Sequence, residues 1–260
     1  MLYLFQRVFV VVFMLAAAAY SQSPNEREGI TLNNEGVIQF QNGNYTDALK
    51  SLNRSAELFP NNPVVYRNLG SLYCEMKDLG RAETAILNAI RLTPDHAVSY
   101  NHLGIVLMET GRQKEALDLF LKAGTMKPGD STILLNTGNA YINLKDFGKA
   151  TSFLEKARSI APENKSIRIS LGFAYAMRKK FDLAIAEARY ATQIAPKDET
   201  AQFLLGYLYL AHRDKDAAIA QQRTVSALNP ELAQRLYQAM YSDKILVVPQ
   251  GEIEGKLSDH

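Results

Sequence analysis

The chain holds one cysteine, Cys74, in 260 residues. A single thiol allows no intrachain disulfide, so stability has to come from packing. Cys74 also stands far from the N-terminal apolar run, which argues against lipid anchoring of the bacterial lipoprotein type. Excess charge of one sign is missing too. The 29 Lys and Arg against 27 Asp and Glu leave +2, and the bases are spread along the chain. That is not the basic stripe a phosphate backbone requires, so nucleic acid is not an expected partner. The four histidines, His96, His102, His212 and His260, stand at no metal-ligand spacing. Neither a glycine-rich phosphate loop nor a nucleophile elbow is present. The chain is therefore read as non-catalytic, with no metal, cofactor or small-molecule substrate expected. It also lacks a Pro/Gly/Ser-rich block, and at 47% hydrophobic and 22% charged it has the composition of one elongated globular domain.

The N-terminal apolar run is short. Val8 to Ala19 spans 12 residues, against the roughly 20 that a spanning helix needs. With Arg7 before it and small residues after it, residues 1–21 read as a secretory signal peptide, cut after Ala19 or Ser21. An uncleaved N-terminal anchor is the alternative, and it is the one route to a membrane that the sequence offers. The expectation is an exported protein, periplasmic or secreted.

What the chain does have is a period. Three columns recur every 34 residues without a break: Gly36, Gly70, Gly104, Gly138, Gly172, Gly206; Ala48, Ala82, Ala116, Ala150, Ala184, Ala218; and Pro60, Pro94, Pro128, Pro162, Pro196, Pro230. Gly and Ala suit places where two helices approach closely and a larger side chain would force them apart. Pro ends a helix, having no N–H to donate. Asn44, Asp78, Asp146 and Asp214 fall where an N-cap is wanted, with Arg112 and Lys180 breaking that column.

This spacing resembles the tetratricopeptide repeat, most clearly over Pro63 to His96, where Tyr66, Leu69, Gly70, Tyr73, Ala82, Ile86, Ala89 and Pro94 fall on its pattern. The resemblance implies an all-α fold, a right-handed superhelical solenoid of six helix-turn-helix repeats over 29–62, 63–96, 97–130, 131–164, 165–198 and 199–232. A capping helix over 233–242 and a mobile tail over 243–260 would follow. No repeat buries its apolar stripe alone, so each is completed by its neighbour and the last needs a cap, which Leu232, Leu236 and Met240 can supply.

The resemblance also implies a concave groove lined by first helices. Carried over position by position, it places Asn34, Asn68, His102 and Asn136 in the groove, and Ile169, Phe173, Met177, Phe203 and Tyr207 in its last two repeats. The amides resemble the asparagine ladder of O-linked N-acetylglucosamine transferases, interrupted at His102; an amide can bind a peptide backbone through both its donor and its acceptor. The basic clamp of chaperone-binding members has no counterpart, since Asn33, Val98 and His102 fill its places. The apolar set reads as a pocket for a partner's side chains. Its alternative is packing against the cap or tail. The expected function is an exported scaffold or assembly factor binding an extended protein segment. The alternative is a self-associating module whose groove is filled by its own tail or a second copy.

Overall fold

The structure is a computed structural model that describes residues 23–241. The expected signal segment over 1–21 and tail over 243–260 lie outside the described residues. Thirteen helices account for most of them, with no strand among them. The chain divides after His102 into two compact units.

The first unit contains α1 (Pro24–Gln41), α2 (Tyr45–Leu58), α3 (Pro63–Glu75) and α4 (Leu79–Leu92), and α5 (Ala97–Glu109) begins in it. The first helix starts at Pro24, five residues before the first repeat was expected. Ser23 and Glu26 form a capping box: the Ser23 hydroxyl accepts from the Glu26 amide at 3.2 Å, and the Glu26 carboxylate accepts from the Ser23 amide at 2.7 Å. α1 and α2 pair closely because Gly36 faces Leu52 and the buried Ser55 hydroxyl donates to the Gly29 carbonyl. α3 and α4 pair the same way through Gly70 and Ile86.

The second unit contains α6 (Gln113–Met126), α7 (Ser131–Asn143), α8 (Phe147–Ile160), α9 (Lys165–Met177), α10 (Phe181–Ile194), α11 (Glu199–Ala211), α12 (Lys215–Leu228) and α13 (Pro230–Tyr241). Hairpins α7/α8, α9/α10 and α11/α12 pack in series, and α9 touches both α7 and α11 side by side. One apolar cluster runs through this unit from Leu134 to Ala218. The cap is longer than expected: α13 begins at Pro230 because Asn229 both ends α12 and accepts from the amides of Glu231 and Leu232. Its Ala233 and Leu236 are buried with Val225.

In the turns, Asp78, Asp146 and Asp214 accept from the amide three residues on, while Arg112 and Lys180 make no side-chain cap bond. Asn44 corrects the expected column, because it stands at an N-cap and its side chain caps nothing. A second column becomes visible here. Residues with left-handed backbone recur at Gly43, Lys77, Gly111, Lys145, Lys179 and Arg213, one repeat apart. Each follows a first helix, where a left-handed residue lets the chain leave the helix and satisfy its last carbonyls.

Candidate binding surface

In the first unit the expected groove amides are bonded to one another. Asn68 Nδ2 donates to Asn33 Oδ1 at 2.8 Å, and Asn33 Nδ2 donates on to Asn34 Oδ1 at 3.4 Å. Asn33 is buried, Asn68 half-buried and Asn34 exposed, so the chain of amides runs from interior to surface. His102 is half-buried, and burial pushes its imidazole below the usual histidine range, with His96 and Arg67 adding to the effect. It is a neutral ring at neutral pH.

In the second unit α7 carries three amides, Asn136, Asn139 and Asn143, at spacings of three and four. That spacing puts them on one helical stripe. All three are half-buried, and the side-chain oxygens of Asn139 and Asn143 accept no hydrogen bond. The Ser170 hydroxyl of α9, next to α7, is likewise unbonded. An unsatisfied buried acceptor costs about 1–3 kcal/mol. The Asn terminal torsion is broad and two-fold, so each amide can turn either its oxygen or its NH2 outward.

The five apolar residues expected to share one pocket are divided. Ile169 and Phe173 belong to the core of the unit, at 2% and 5% exposure. Phe203 and Tyr207 are half-buried against the α13 cluster of Val225, Ala233 and Leu236, with the Arg235 guanidinium 5.5 Å from the Phe203 ring centre. Burial raises the Tyr207 phenol above the usual tyrosine range. Met177, at the end of α9, is 46% exposed. Half-buried on these helices are the α7 amides and the rings of Phe203 and Tyr207 on α11, with Met177 the exposed member of the set. Asn139 and Asn143 were not singled out from sequence, although the run Asn-Thr-Gly-Asn-Ala-Tyr-Ile-Asn over 136–143 carries the signal.

Another side of this unit is held by charge. Glu187, buried, accepts from both Arg158 and Arg168, and Arg168 also donates to the Pro162 carbonyl and stacks 4.0 Å from the Tyr190 ring centre. Tyr175 donates to Glu155 at 2.6 Å; burial first and that carboxylate second push its phenol up to about 12. Every carboxylate and cation in this group has a partner, which is the pattern of a structural network rather than a reactive site. Among the described residues no cluster of His, Cys, Asp and Glu could hold a metal, and no helix is long and apolar enough to cross a membrane.

Three family models described as tetratricopeptide repeat match residues 39–104, 96–123 and 131–164. No curated protein matches the chain. Among solved structures, that of Pseudomonas aeruginosa pilF is similar at TM-score 0.73 and 20% identity, over 84% of this chain and 99% of that one. PilW, a widely conserved type IV pilus biogenesis factor, is similar at TM-score 0.75 and 18% identity, over 80% of this chain and 98% of that one. YrrB, a tetratricopeptide repeat protein with an unusual peptide-binding site, is similar at TM-score 0.58 and 21% identity, over 72% of this chain and 97% of that one.

Proposed function

The chain is a tetratricopeptide repeat protein, and from that premise we propose that it is an exported scaffold that holds an extended protein segment against the α7 stripe of its second unit. The observation that carries the reading is the row of half-buried amides Asn136, Asn139 and Asn143, in which the oxygens of Asn139 and Asn143 are buried and unbonded and a turn of the amide would bring them to a partner. An extended peptide offers an N–H at every residue, so a row of amides can take its backbone whatever its side chains are. The aromatic edges of Phe203 and Tyr207 would favour apolar side chains farther along the segment. One structural neighbour, PilW, is a type IV pilus biogenesis factor, which fits the reading of an assembly factor. Protein or peptide is the partner class this fold supports; nothing points to nucleic acid or a small-molecule substrate.

The test is a set of extended ten-residue peptides, each paired with a scrambled version and with a backbone N-methylated version. Binding that survives scrambling but falls about tenfold on N-methylation, one lost charge-free hydrogen bond or more, is expected. An Asn139→Ala/Asn143→Ala variant should lose the same factor. Equal affinity for the N-methylated peptides, or for the double variant, overturns the reading. Affinity only for the chain's own residues 243–260 favours the self-filled alternative.

A further inference from the structure

The turn between α9 and α10 combines two locally unfavourable choices that none of its five equivalents combines. In Arg178–Lys179–Lys180, Lys179 takes the left-handed backbone position, φ 59°, which Gly43 and Gly111 fill elsewhere without a Cβ. Lys180 takes the N-cap position that Asp78, Asp146 and Asp214 fill with a bonded carboxylate; it makes no cap bond and sets a positive charge at the positive end of α10. A side chain also takes the left-handed place at Lys77, Lys145 and Arg213, and Asn44 and Arg112 also leave their caps unbonded, but only here do the two choices coincide. All three bases are exposed. They are flanked by two exposed apolar side chains, Met177 at 46% and Leu183 at 47%.

Charge on the tip is not cancelled. Asp182 is the acid of this segment, and its carboxylate lies 3.4 Å from His212 Nε2. Arg178 donates to the Thr151 hydroxyl, which leaves its charge intact. The tip therefore carries three cations against one carboxylate, with apolar side chains on both sides.

We propose that this turn docks on an anionic lipid surface. A helical-hairpin tip is convex and small. A protein partner would need a matching hollow and a contact of about 800 Å² on each side to hold it. A bilayer needs no such match: it takes bases at the headgroups and apolar side chains at the acyl boundary, the pairing found here. Each cation near an anionic surface strengthens partitioning roughly fivefold. The proposal does not depend on the peptide reading.

The test is sedimentation of the full chain with vesicles of phosphatidylcholine alone and with phosphatidylglycerol added. The variant is Lys179→Gly/Lys180→Asp, which installs a left-handed glycine as at Gly43 and Gly111 and a capping aspartate as at Asp78, Asp146 and Asp214, and should raise the thermal midpoint. Residues 1–21 are common to both proteins, so their apolar affinity cancels in the comparison. Expected is a preference of the wild type for phosphatidylglycerol vesicles that falls roughly hundredfold in the variant, three charge units at the factor above, and that weakens with salt. Equal partitioning of wild type and variant, or no preference of the wild type, overturns the proposal. So does indifference to vesicles with capture of a polyglutamate peptide, which would give the turn to an acidic protein segment.

Discussion

The two units use the same hairpin but hold it with different side chains. In the first, the ion pairs Arg54–Glu57 and Arg81–Asp78 lie one turn apart on exposed surface. In the second, one-turn pairs recur at Arg112–Glu115 and Lys149–Asp146, and charged groups also link separate helices or their caps: Arg158 with Glu187, Lys165 with Asp198, Tyr190 with Glu163, Asn229 with Glu199. A one-turn surface pair stiffens a helix that already exists. A pair between helices fixes one against the other, and when buried it becomes costly to break. The difference teaches that a repeat pattern specifies the hairpin, while its polar residues decide how firmly neighbours are joined.

The largest test of that difference is to remove one arginine from each unit. Arg168→Ala leaves buried Glu187 with Arg158 alone and is expected to cost about 3 kcal/mol. Arg54→Ala removes an exposed pair and should cost under about 0.5 kcal/mol. Urea midpoints of the two variants check this, and equal shifts would erase the distinction.

A second comparison, of intermediate size, concerns the glycine column. A Cβ on Gly70 would lie 2.5 Å from Ile86 Cγ1, and Ile86 is sealed in the first unit. A Cβ on Gly172 would meet nothing nearer than the Ala184 carbonyl at 3.3 Å and Leu204 Cδ2 at 3.5 Å. The reason stands sixteen residues on: Leu52, Ile86, Phe120 and Leu154 face their glycines, whereas the place facing Gly172 holds Ala188. Gly70→Ala should cost about 1–3 kcal/mol by overpacking. Gly172→Ala should be close to neutral, since alanine's helix preference of about 1 kcal/mol offsets a mild crowding. Thermal midpoints that fall alike for both would show that the space beside Gly172 cannot be used.

That glycine column shows why the fold was legible in the sequence and the surface less so. Gly36 or Gly70 answers a steric demand at a fixed offset, and a steric demand admits few residue types. The left-handed column was hidden because Lys77, Lys145, Lys179 and Arg213 look like ordinary charged turn residues, and only backbone angles reveal what they share with Gly43 and Gly111. Phe173 and Phe203 could not be sorted by type either. Whether such a ring faces a groove or a neighbour depends on what packs beside it, and here Phe173 joins the core while Phe203 meets the cap. Asn139 and Asn143 escaped because the expected ladder uses one position per repeat, whereas these two share a helix with Asn136.

The smallest expected effect compares two caps, one from each unit. Asp146 accepts from the Lys149 amide at 3.1 Å, and that bond holds its carboxyl below the usual aspartate range, with the Lys149 ammonium helping. Asn44, at the equivalent place in the first unit, makes no such bond. Asp146→Ala should then cost about 1 kcal/mol and Asn44→Ala only a few tenths. The pH dependence supplies the sign. A depressed folded value means that the Asp146 contribution is fully present above the ordinary aspartate pKa and is lost as pH falls through the folded value. Asp146→Asn keeps an acceptor at the cap but has no carboxyl to protonate. Its stability relative to wild type should therefore rise as pH falls below 4, whereas Asn44→Ala should track wild type through the same range. Parallel curves for Asp146→Asn and wild type would mean that the cap bond does not depend on the charge.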